Sequence, residues 1–121
     1  MKTLIFNGSP KHDGNTAALI NILKNNLYGD IKQIDCYSIN VSPCMDCGYC
    51  KAATQCTTFD DMQEIYSYIS DCDNIVIASP IFYSEITGKL LDLASRFQMY
   101  YNARTIRDEI LVSKPKKGVV I

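Results

Sequence analysis

Tryptophan is absent from this 121-residue sequence, and histidine occurs once, as His12. A single histidine argues against a Ser-His-Asp triad and against a histidine metal site, and we expect His12 to lie in an exposed loop. The formal net charge of −1 provides no basic surface for nucleic acid or anionic membranes, so neither is expected as a partner. No apolar run approaches the roughly 20 residues of a membrane-spanning helix.

The beginning of the chain, Met-Lys-Thr, leads directly into an apolar segment, and we therefore expect a cytoplasmic protein without a signal peptide. In such a protein the six cysteines are expected to be thiols, metal ligands or redox groups rather than a framework of structural disulfides. The length fits one domain, residues 1–121, and a hydrophobic content of 47% is enough for a core. No internal repeat, linker or low-complexity tract divides it.

The order of the predicted elements indicates an α/β fold with a parallel sheet. Short apolar runs at residues 4–6 and 74–78 are typical of strands buried on both faces, whereas the more polar residues 31–37 suit the edge of the sheet. Apolar residues at helical spacing predict helices at 17–27, 60–70 and 87–100. Right-handed crossovers between these strands predict a flavodoxin-like, doubly wound sheet in a three-layer α/β/α fold, with strand order 2-1-3-4(-5).

The last residues predict a fourth strand that is only beginning, because the apolar run at 119–121 has no turn or charge to close it. A fourth strand left as the edge would expose a Val/Ile face that helices normally cover in parallel sheets. We therefore expect the domain to be incomplete at its carboxyl end, without its fifth strand, or this edge to be covered by another chain. In the second case contacts are expected from Tyr100, Tyr101 and Arg104.

A polar loop joins the first strand to the first helix, residues 8–16, with the sequence Gly-Ser-Pro-Lys-His-Asp-Gly-Asn-Thr. Backbone N–H groups and the positive end of a helix dipole converge in such a loop, which suits a phosphate group. The five residues between Gly8 and Gly14 exclude a Walker loop, and a G-x-G-x-x-G dinucleotide fingerprint does not fit either. The alternative is a strand-to-helix turn with an Asn or Thr N-cap and no ligand.

A second irregular loop follows the third strand, at the same predicted edge of the sheet. Residues 79–90 combine a rigid proline turn with the aromatic residues Phe82 and Tyr83 and then a helix start. The backbone groups of this loop suit the polar edge of a flat ring, which an aromatic side chain would flank. The alternative is an ordinary turn whose aromatic residues close the core.

Together the two loops resemble those of the flavodoxin-like NAD(P)H-dependent FMN reductases and, within them, the iron–sulfur flavoproteins. The first family motif, G-S-P-R/K-x-x-G-N-T, is matched by residues 8–16, with Lys11 in the basic position. The second, S-P-I/V-Y-x-x-x-x-S/T-G-x-L-K, is matched from residue 79, with Phe82 for the usual Tyr and Leu91 for the usual Lys. A further departure is Ser95, where the family commonly has Asp before Arg.

The resemblance implies an FMN-dependent oxidoreductase that takes hydride from NAD(P)H and passes electrons to an acceptor that the sequence does not identify. It implies that the flavin phosphate contacts polar residues of the first loop and its helix: Ser9, Lys11, Asn15 and Thr16. It implies that the flavin ring lies against the second loop, at Pro80, Ile81, Phe82 and Tyr83. It also implies a dimer or tetramer. No pair of acid–base residues is evident, which fits chemistry that the flavin itself carries.

Four closely spaced cysteines lie in residues 42–58, a predicted loop insertion, with the pattern C-x2-C-x2-C-x5-C: Cys44, Cys47, Cys50 and Cys56. A cubane needs several thiolates close together, and this compact spacing resembles the 4Fe–4S motif of iron–sulfur flavoproteins. Zinc also accepts four thiolates, although usually from two separated C-x2-C pairs. The third alternative is a metal-free loop of thiols or a labile disulfide. Cys36 and Cys72 are expected to be buried, inert thiols.

Three functions therefore remain open. The first is an FMN-dependent oxidoreductase that takes hydride from NAD(P)H and delivers electrons to an acceptor. The second is a flavin and iron–sulfur electron-transfer protein without a substrate of its own. The third is a non-catalytic interaction domain whose cysteines bind structural zinc. Bleaching of bound flavin by NAD(P)H distinguishes the first from the second, and a yellow or brown purified protein excludes the third.

Overall fold

The computed structural model describes residues 1–121, and a four-stranded parallel sheet forms its centre. The strands are β1 (Lys2–Asn7), β2 (Asp30–Asp35), β3 (Asn74–Ala78) and β4 (Lys117–Val120). Their order is β2-β1-β3-β4, and every neighbouring pair is parallel. The predicted flavodoxin-like order is therefore confirmed for the four strands.

Helices cover both faces of this sheet because the strand residues alternate between two cores. The helices are α1 (Asn15–Asn25), α2 (Met62–Asp71), α3 (Gly88–Ser95) and α4 (Gln98–Ile106), with a 3-10 turn at Tyr49–Lys51. Leu4 and Phe6 of β1 belong to the larger core with residues of α2 and α3. Ile5, between them, belongs to a smaller core with Ile20 of α1. This alternation produces the predicted three layers.

The single helix predicted at 87–100 is wrong, because the chain forms two helices that meet at Arg96 and Phe97. The N–H groups of these two residues bond to carbonyls three residues back, at 3.0 Å each, which tightens the chain there. The Arg96 side chain is buried, and the Phe97 ring meets the edge of the Phe6 ring at a centroid distance of 6.4 Å. The chain thus turns between α3 and α4 at two residues whose side chains both contact the interior.

The two outer strands differ in how far they are covered. The first four residues of β2 alternate between exposed and partly buried, as expected for a polar edge strand, and Ile34 is buried. All four residues of β4 are exposed, and Val120 retains 77% of its accessible surface. Backbone pairing continues to the last residue, since the N–H of Ile121 donates to the carbonyl of Ile77 at 2.9 Å. None of the helices has the length and apolar character that crossing a bilayer requires.

Candidate functional site

The loops after β1, β2 and β3 all begin at the carboxyl edge of the sheet, because the strands run parallel. Two backbone hydrogen bonds hold their first residues side by side. The N–H of Gly8 donates to the carbonyl of Ala78 at 2.7 Å, and the N–H of Cys36 donates to the carbonyl of Asn7 at 2.9 Å. The predicted convergence of the two irregular loops is therefore confirmed, and the segment that contains the four cysteines leaves from the same edge.

The amino terminus of α1 has no side-chain cap. The N-cap residue is Gly14, and no side chain accepts a hydrogen bond from the first turn of the helix. The Asn or Thr N-cap of the alternative prediction is therefore wrong, because Asn15 is already the first helical residue. The first N–H groups and the positive end of the helix dipole remain available to an anion.

Asn7, the last residue of β1, fixes the entrance to this loop. Its side-chain nitrogen donates to Asp35 Oδ1 at 2.9 Å, and its Oδ1 accepts the N–H of Ser9 at 3.1 Å. Ser9 is buried, and its Oγ accepts the N–H of Lys11 at 3.2 Å. Asn7 is not among the residues predicted from the sequence, although a polar residue that ends a buried apolar strand is a signal that could identify it.

Asp35 is the charged end of this hydrogen-bond chain. Burial alone would raise the pKa of its carboxyl group, but hydrogen bonds from Gln33 and Asn7 outweigh burial and hold that pKa below its ordinary value. Gln33 Nε2 donates to Asp35 Oδ1 at 2.7 Å. The carboxylate therefore stays ionised at neutral pH and keeps Asn7 oriented toward Ser9.

The remaining predicted phosphate ligands surround the uncapped helix start. Lys11 and Asn15 are exposed, and Thr16 is half-buried. The Lys11 ammonium forms no ion pair within the protein. Its side-chain stem passes beside the helix start, because a methyl group built on Gly14 would lie 3.5 Å from Lys11 Cβ. A free cation therefore accompanies the free N–H groups.

The second loop forms a tight turn that presents aromatic residues to solvent. Phe82 and Glu85 exchange backbone hydrogen bonds of 2.9 and 3.2 Å. The two residues between them, Tyr83 and Ser84, have φ angles of 51° and 64°. Positive φ at both central positions is the requirement of a type I′ turn, which usually takes Asn-Gly. The alternative in which these aromatic residues close the core is wrong, because Tyr83 is fully exposed and Phe82 is about half exposed.

Thr87 ties the second loop to the first. It is completely buried, and its Oγ1 donates to the carbonyl of Gly8 at 2.7 Å. Its N–H donates to Ser79 Oγ at 3.2 Å. A methyl group built on Gly8 would lie 2.9 Å from Leu90 Cδ2 and 3.1 Å from Thr87 Oγ1. The backbones of the two loops thus meet at a residue without a side chain, where a buried hydrogen bond connects them.

The four cysteines of the predicted cluster line one cavity together with residues of α4. Cys44 and Cys47 are exposed, Cys50 and Cys56 are half-buried, and all four are free thiols. No three histidine, cysteine, aspartate or glutamate side chains lie close enough together to hold a metal ion. The thiols therefore share a cavity without forming the tight group that a single zinc ion requires. A cubane has four iron atoms between its thiolates, so its cysteine sulfurs stand farther apart.

A buried ion pair holds the two ends of the cysteine segment together. Arg96 Nη1 donates to Asp60 Oδ2 at 2.6 Å and to the carbonyl of Ser42 at 3.1 Å, and its Nη2 donates to the carbonyl of Thr58 at 3.0 Å. The side chains of Arg96 and Asp60 retain only 1% and 5% of their accessible surface. Ser42 and Thr58 are the first and last residues of the segment, and we call these two ends its neck. One guanidinium group is therefore hydrogen-bonded to both sides of the neck.

Three of the six thiols have pKa values that differ from the ordinary value of a cysteine. Burial raises the pKa of Cys36 to about 12 and also raises that of Cys72, so both stay protonated, as the sequence predicts for inert thiols. The pKa of Cys47 is instead lowered by hydrogen bonds from the backbone N–H of Tyr49 and the hydroxyl of Thr57. Cys36 and Cys72 are thus unsuited as metal ligands, whereas Cys47 is favoured as a thiolate.

Known proteins resemble the chain along most of its length. The model of the family described as NADPH-dependent FMN reductase matches residues 1–113. An iron–sulfur flavoprotein of Methanocaldococcus jannaschii is 28% identical over 99 residues, which cover 79% of this chain and 51% of that protein. An iron–sulfur flavoprotein of Archaeoglobus fulgidus is 26% identical over 110 residues, which cover 88% of this chain and 50% of that protein. The chain therefore spans about half the length of the curated relatives it matches.

Solved structures share the fold. The Smu.1420 protein of Streptococcus mutans UA159 superposes with a TM-score of 0.65 and 18% identity, over 79% of this chain and 52% of that one. A flavone reductase superposes with a TM-score of 0.61 and 19% identity, over 99% of this chain and 41% of that one. The match to residues 1–113 covers nearly the whole chain, and the sheet order and the two converging loops agree with it. This chain therefore belongs to the NADPH-dependent FMN reductase family.

Proposed function

We propose that this chain is the FMN-binding part of a flavin-dependent oxidoreductase. The observation that carries the proposal is the uncapped amino terminus of α1 beside the unpaired ammonium of Lys11. Free N–H groups, a helix dipole and a cation together are the usual means by which proteins bind a phosphate. The flavin phosphate would be held by the four predicted ligands, Ser9, Lys11, Asn15 and Thr16.

The flavin ring would lie against residues 80–83, a loop that is exposed and conformationally fixed. Thr87 and Gly8 hold this loop against the phosphate loop, so the two halves of one ligand would meet a single rigid surface. The exposed rings of Phe82 and Tyr83 provide flat apolar area for a flavin. FMN supplies hydride acceptance and the onward transfer of one or two electrons when it is bound. The residues of this chain bind and orient it.

The proposed reductant is NAD(P)H, and the acceptor is an electron carrier or small molecule of unidentified structure. The experiment is anaerobic addition of NADPH, and separately NADH, to the purified chain loaded with FMN. In an oxidoreductase of this type, one of the two nucleotides reduces the flavin, and the visible absorbance of the oxidised flavin disappears. The alternative is an electron-transfer protein, in which neither nucleotide bleaches the flavin but a chemical reductant does. That second outcome would overturn the proposed reaction and leave the FMN site in place.

The cysteine segment is proposed to hold a 4Fe–4S cluster through Cys44, Cys47, Cys50 and Cys56. The donor set fits such a cluster, because four free thiols line one cavity. The ion pair of Arg96 and Asp60 also holds the neck of the segment in place. The segment leaves the same sheet edge as the two cofactor loops, so both redox groups would belong to one end of the molecule. A structural zinc ion is the competing occupant, and it requires the thiols to approach one another more closely.

A further inference from the structure

The sulfur of Cys50 is contacted by a buried side chain that lies outside the cysteine segment. Asn102 of α4 retains 4% of its accessible surface, and its Nδ2 donates to Cys50 Sγ at 3.1 Å. By contrast, Cys44 Sγ accepts the N–H of Asp46 at 3.4 Å, a contact within the segment. The partner of Cys47 Sγ is the hydroxyl of Thr57, at 3.6 Å, also within the segment.

The orientation of the Asn102 amide is itself determined by a neighbour. Gln98, one turn earlier on α4, donates from Nε2 to Asn102 Oδ1 at 3.0 Å. With its oxygen engaged, the amide presents its nitrogen to the sulfur. A metal-bound thiolate carries no proton and can only accept a hydrogen bond. The Gln98–Asn102 arrangement is therefore matched to Cys50 as a ligand, because it supplies the donor that a thiolate needs.

Cys50 is also fixed through its backbone. Arg107, just after the end of α4, donates from Nη1 to the Cys50 carbonyl, and the 3-10 turn that contains Cys50 lies against the same helix. α4 thus holds both the main chain and the sulfur of this cysteine. Cys56 is held from α2 in a similar way, since Gln63 Nε2 donates to its carbonyl at 3.1 Å.

We propose that Asn102 is a positioning residue for the iron–sulfur cluster, acting through Cys50; this inference rests on the proposed function of the cysteine segment. A hydrogen bond to a ligand sulfur offsets part of the negative charge that reduction adds to the cluster. It therefore raises the reduction potential. Reduction adds one electron from the reductant and changes no ligand. A purely packing role for Asn102 would leave that potential unchanged.

The test compares Asn102→Leu, which removes the donor at similar side-chain volume, with Tyr101→Leu, an exposed neighbour on the same helix. Each protein is reconstituted anaerobically with iron and sulfide, its iron content is measured, and it is titrated with dithionite under electron paramagnetic resonance. We expect Asn102→Leu to lower the reduction potential of the cluster by about 59 mV, which corresponds to a tenfold change in the equilibrium constant of a one-electron couple. Tyr101→Leu is expected to retain the wild-type potential.

A second variant keeps the test decisive if Asn102→Leu loads poorly. Gln98→Leu leaves Asn102 in place but removes the group that orients it, so we expect a smaller decrease in the same direction. If the wild type loads and both variants keep its potential, the role of Asn102 is refuted while the cluster proposal stands. If the wild type takes up no iron and sulfide, the cluster proposal fails and this inference fails with it.

Discussion

At the scale of single residues, Gly8 is where the two cofactor loops touch. Its carbonyl accepts a hydrogen bond from Thr87, and a methyl group at this position would lie 2.9 Å from the buried Leu90 side chain. Contacts this short force neighbouring atoms apart, which costs stability in a packed interior. The absence of a side chain therefore matters here for close approach and not for backbone conformation.

We expect Gly8→Ala to lower the free energy of unfolding by about 1–3 kcal/mol, the usual effect of overpacking. It should also weaken FMN binding, because the two loops separate. Urea unfolding and flavin fluorescence measure the two effects. Gly14→Ala is the comparison for stability, because its new methyl group would make only an ordinary contact at 3.5 Å with Lys11 Cβ. An equal loss of stability in the two variants would contradict the effect of close approach at Gly8.

Tyr83 has a φ angle in the left-handed region and a fully exposed ring. The strain of its backbone is therefore not offset by packing of its side chain. We expect Tyr83→Asn to raise the free energy of unfolding by about 1 kcal/mol, because Asn tolerates the left-handed region. The same substitution should weaken FMN binding through loss of the ring. Thermal unfolding without ligand and FMN titration report the two effects.

The adjacent residue provides the control for this prediction. Ser84 also has a positive φ angle but carries no ring, so Ser84→Asn should increase stability and leave FMN affinity unchanged. If Tyr83→Asn leaves FMN affinity unchanged as well, the exposed ring has no part in holding the flavin. Strained residues often persist at binding sites, and this pair of variants separates strain from binding.

At the scale of elements, the buried pair of Arg96 and Asp60 connects the end of α3 to the neck of the cysteine segment. We expect Asp60→Asn to destabilise the protein by about 3–5 kcal/mol, because it leaves the guanidinium buried without a counter-charge. The exposed pair of Arg104 and Asp108 supplies the comparison, and Asp108→Asn should change stability by only about 0.5 kcal/mol. Urea unfolding at neutral pH measures both, and similar losses would contradict the role given to burial.

The pH dependence of the same pair follows from the Asp60 carboxyl group. Burial would raise its pKa, but hydrogen bonds from Arg96 and from the N–H groups of Ser42 and Met62 hold that pKa below its ordinary value. A carboxyl group of this kind stabilises the folded state above its pKa in the unfolded chain, and that contribution is lost as the pH falls through the lower, folded pKa. The difference between wild type and Asp60→Asn should therefore shrink below about pH 4.

The elements themselves could be predicted from local patterns, but their interruptions could not. Apolar runs and helical spacing predict the first three strands and the positions of α1 and α2, because those signals depend on neighbours in sequence. The break at Arg96 depends on Asp60, which is 36 residues away. Asn7 and Asn102 act through similarly distant partners, and a single sequence without geometry does not pair them.

At the scale of the whole molecule, the parallel sheet brings the phosphate loop, the aromatic loop and the cysteine segment to one edge. This placement could be predicted, because strand order and chain direction determine which loops share an edge. Motif resemblance adds the identity of the ligand that this edge would bind. The separation of the four thiols could not be predicted, because spacing along the chain does not determine how a loop without a regular period folds.

The phosphate site is tested by the affinity of the chain for FMN compared with riboflavin, which lacks the phosphate. We expect FMN to bind about 100-fold more tightly, because charged hydrogen bonds contribute roughly 1.5–3 kcal/mol each and 1.4 kcal/mol is a factor of ten. Lys11→Ala should reduce that ratio about tenfold by lowering only the affinity for FMN. Equal affinities for FMN and riboflavin in the wild-type chain would contradict the assignment of residues 8–16 as the phosphate site.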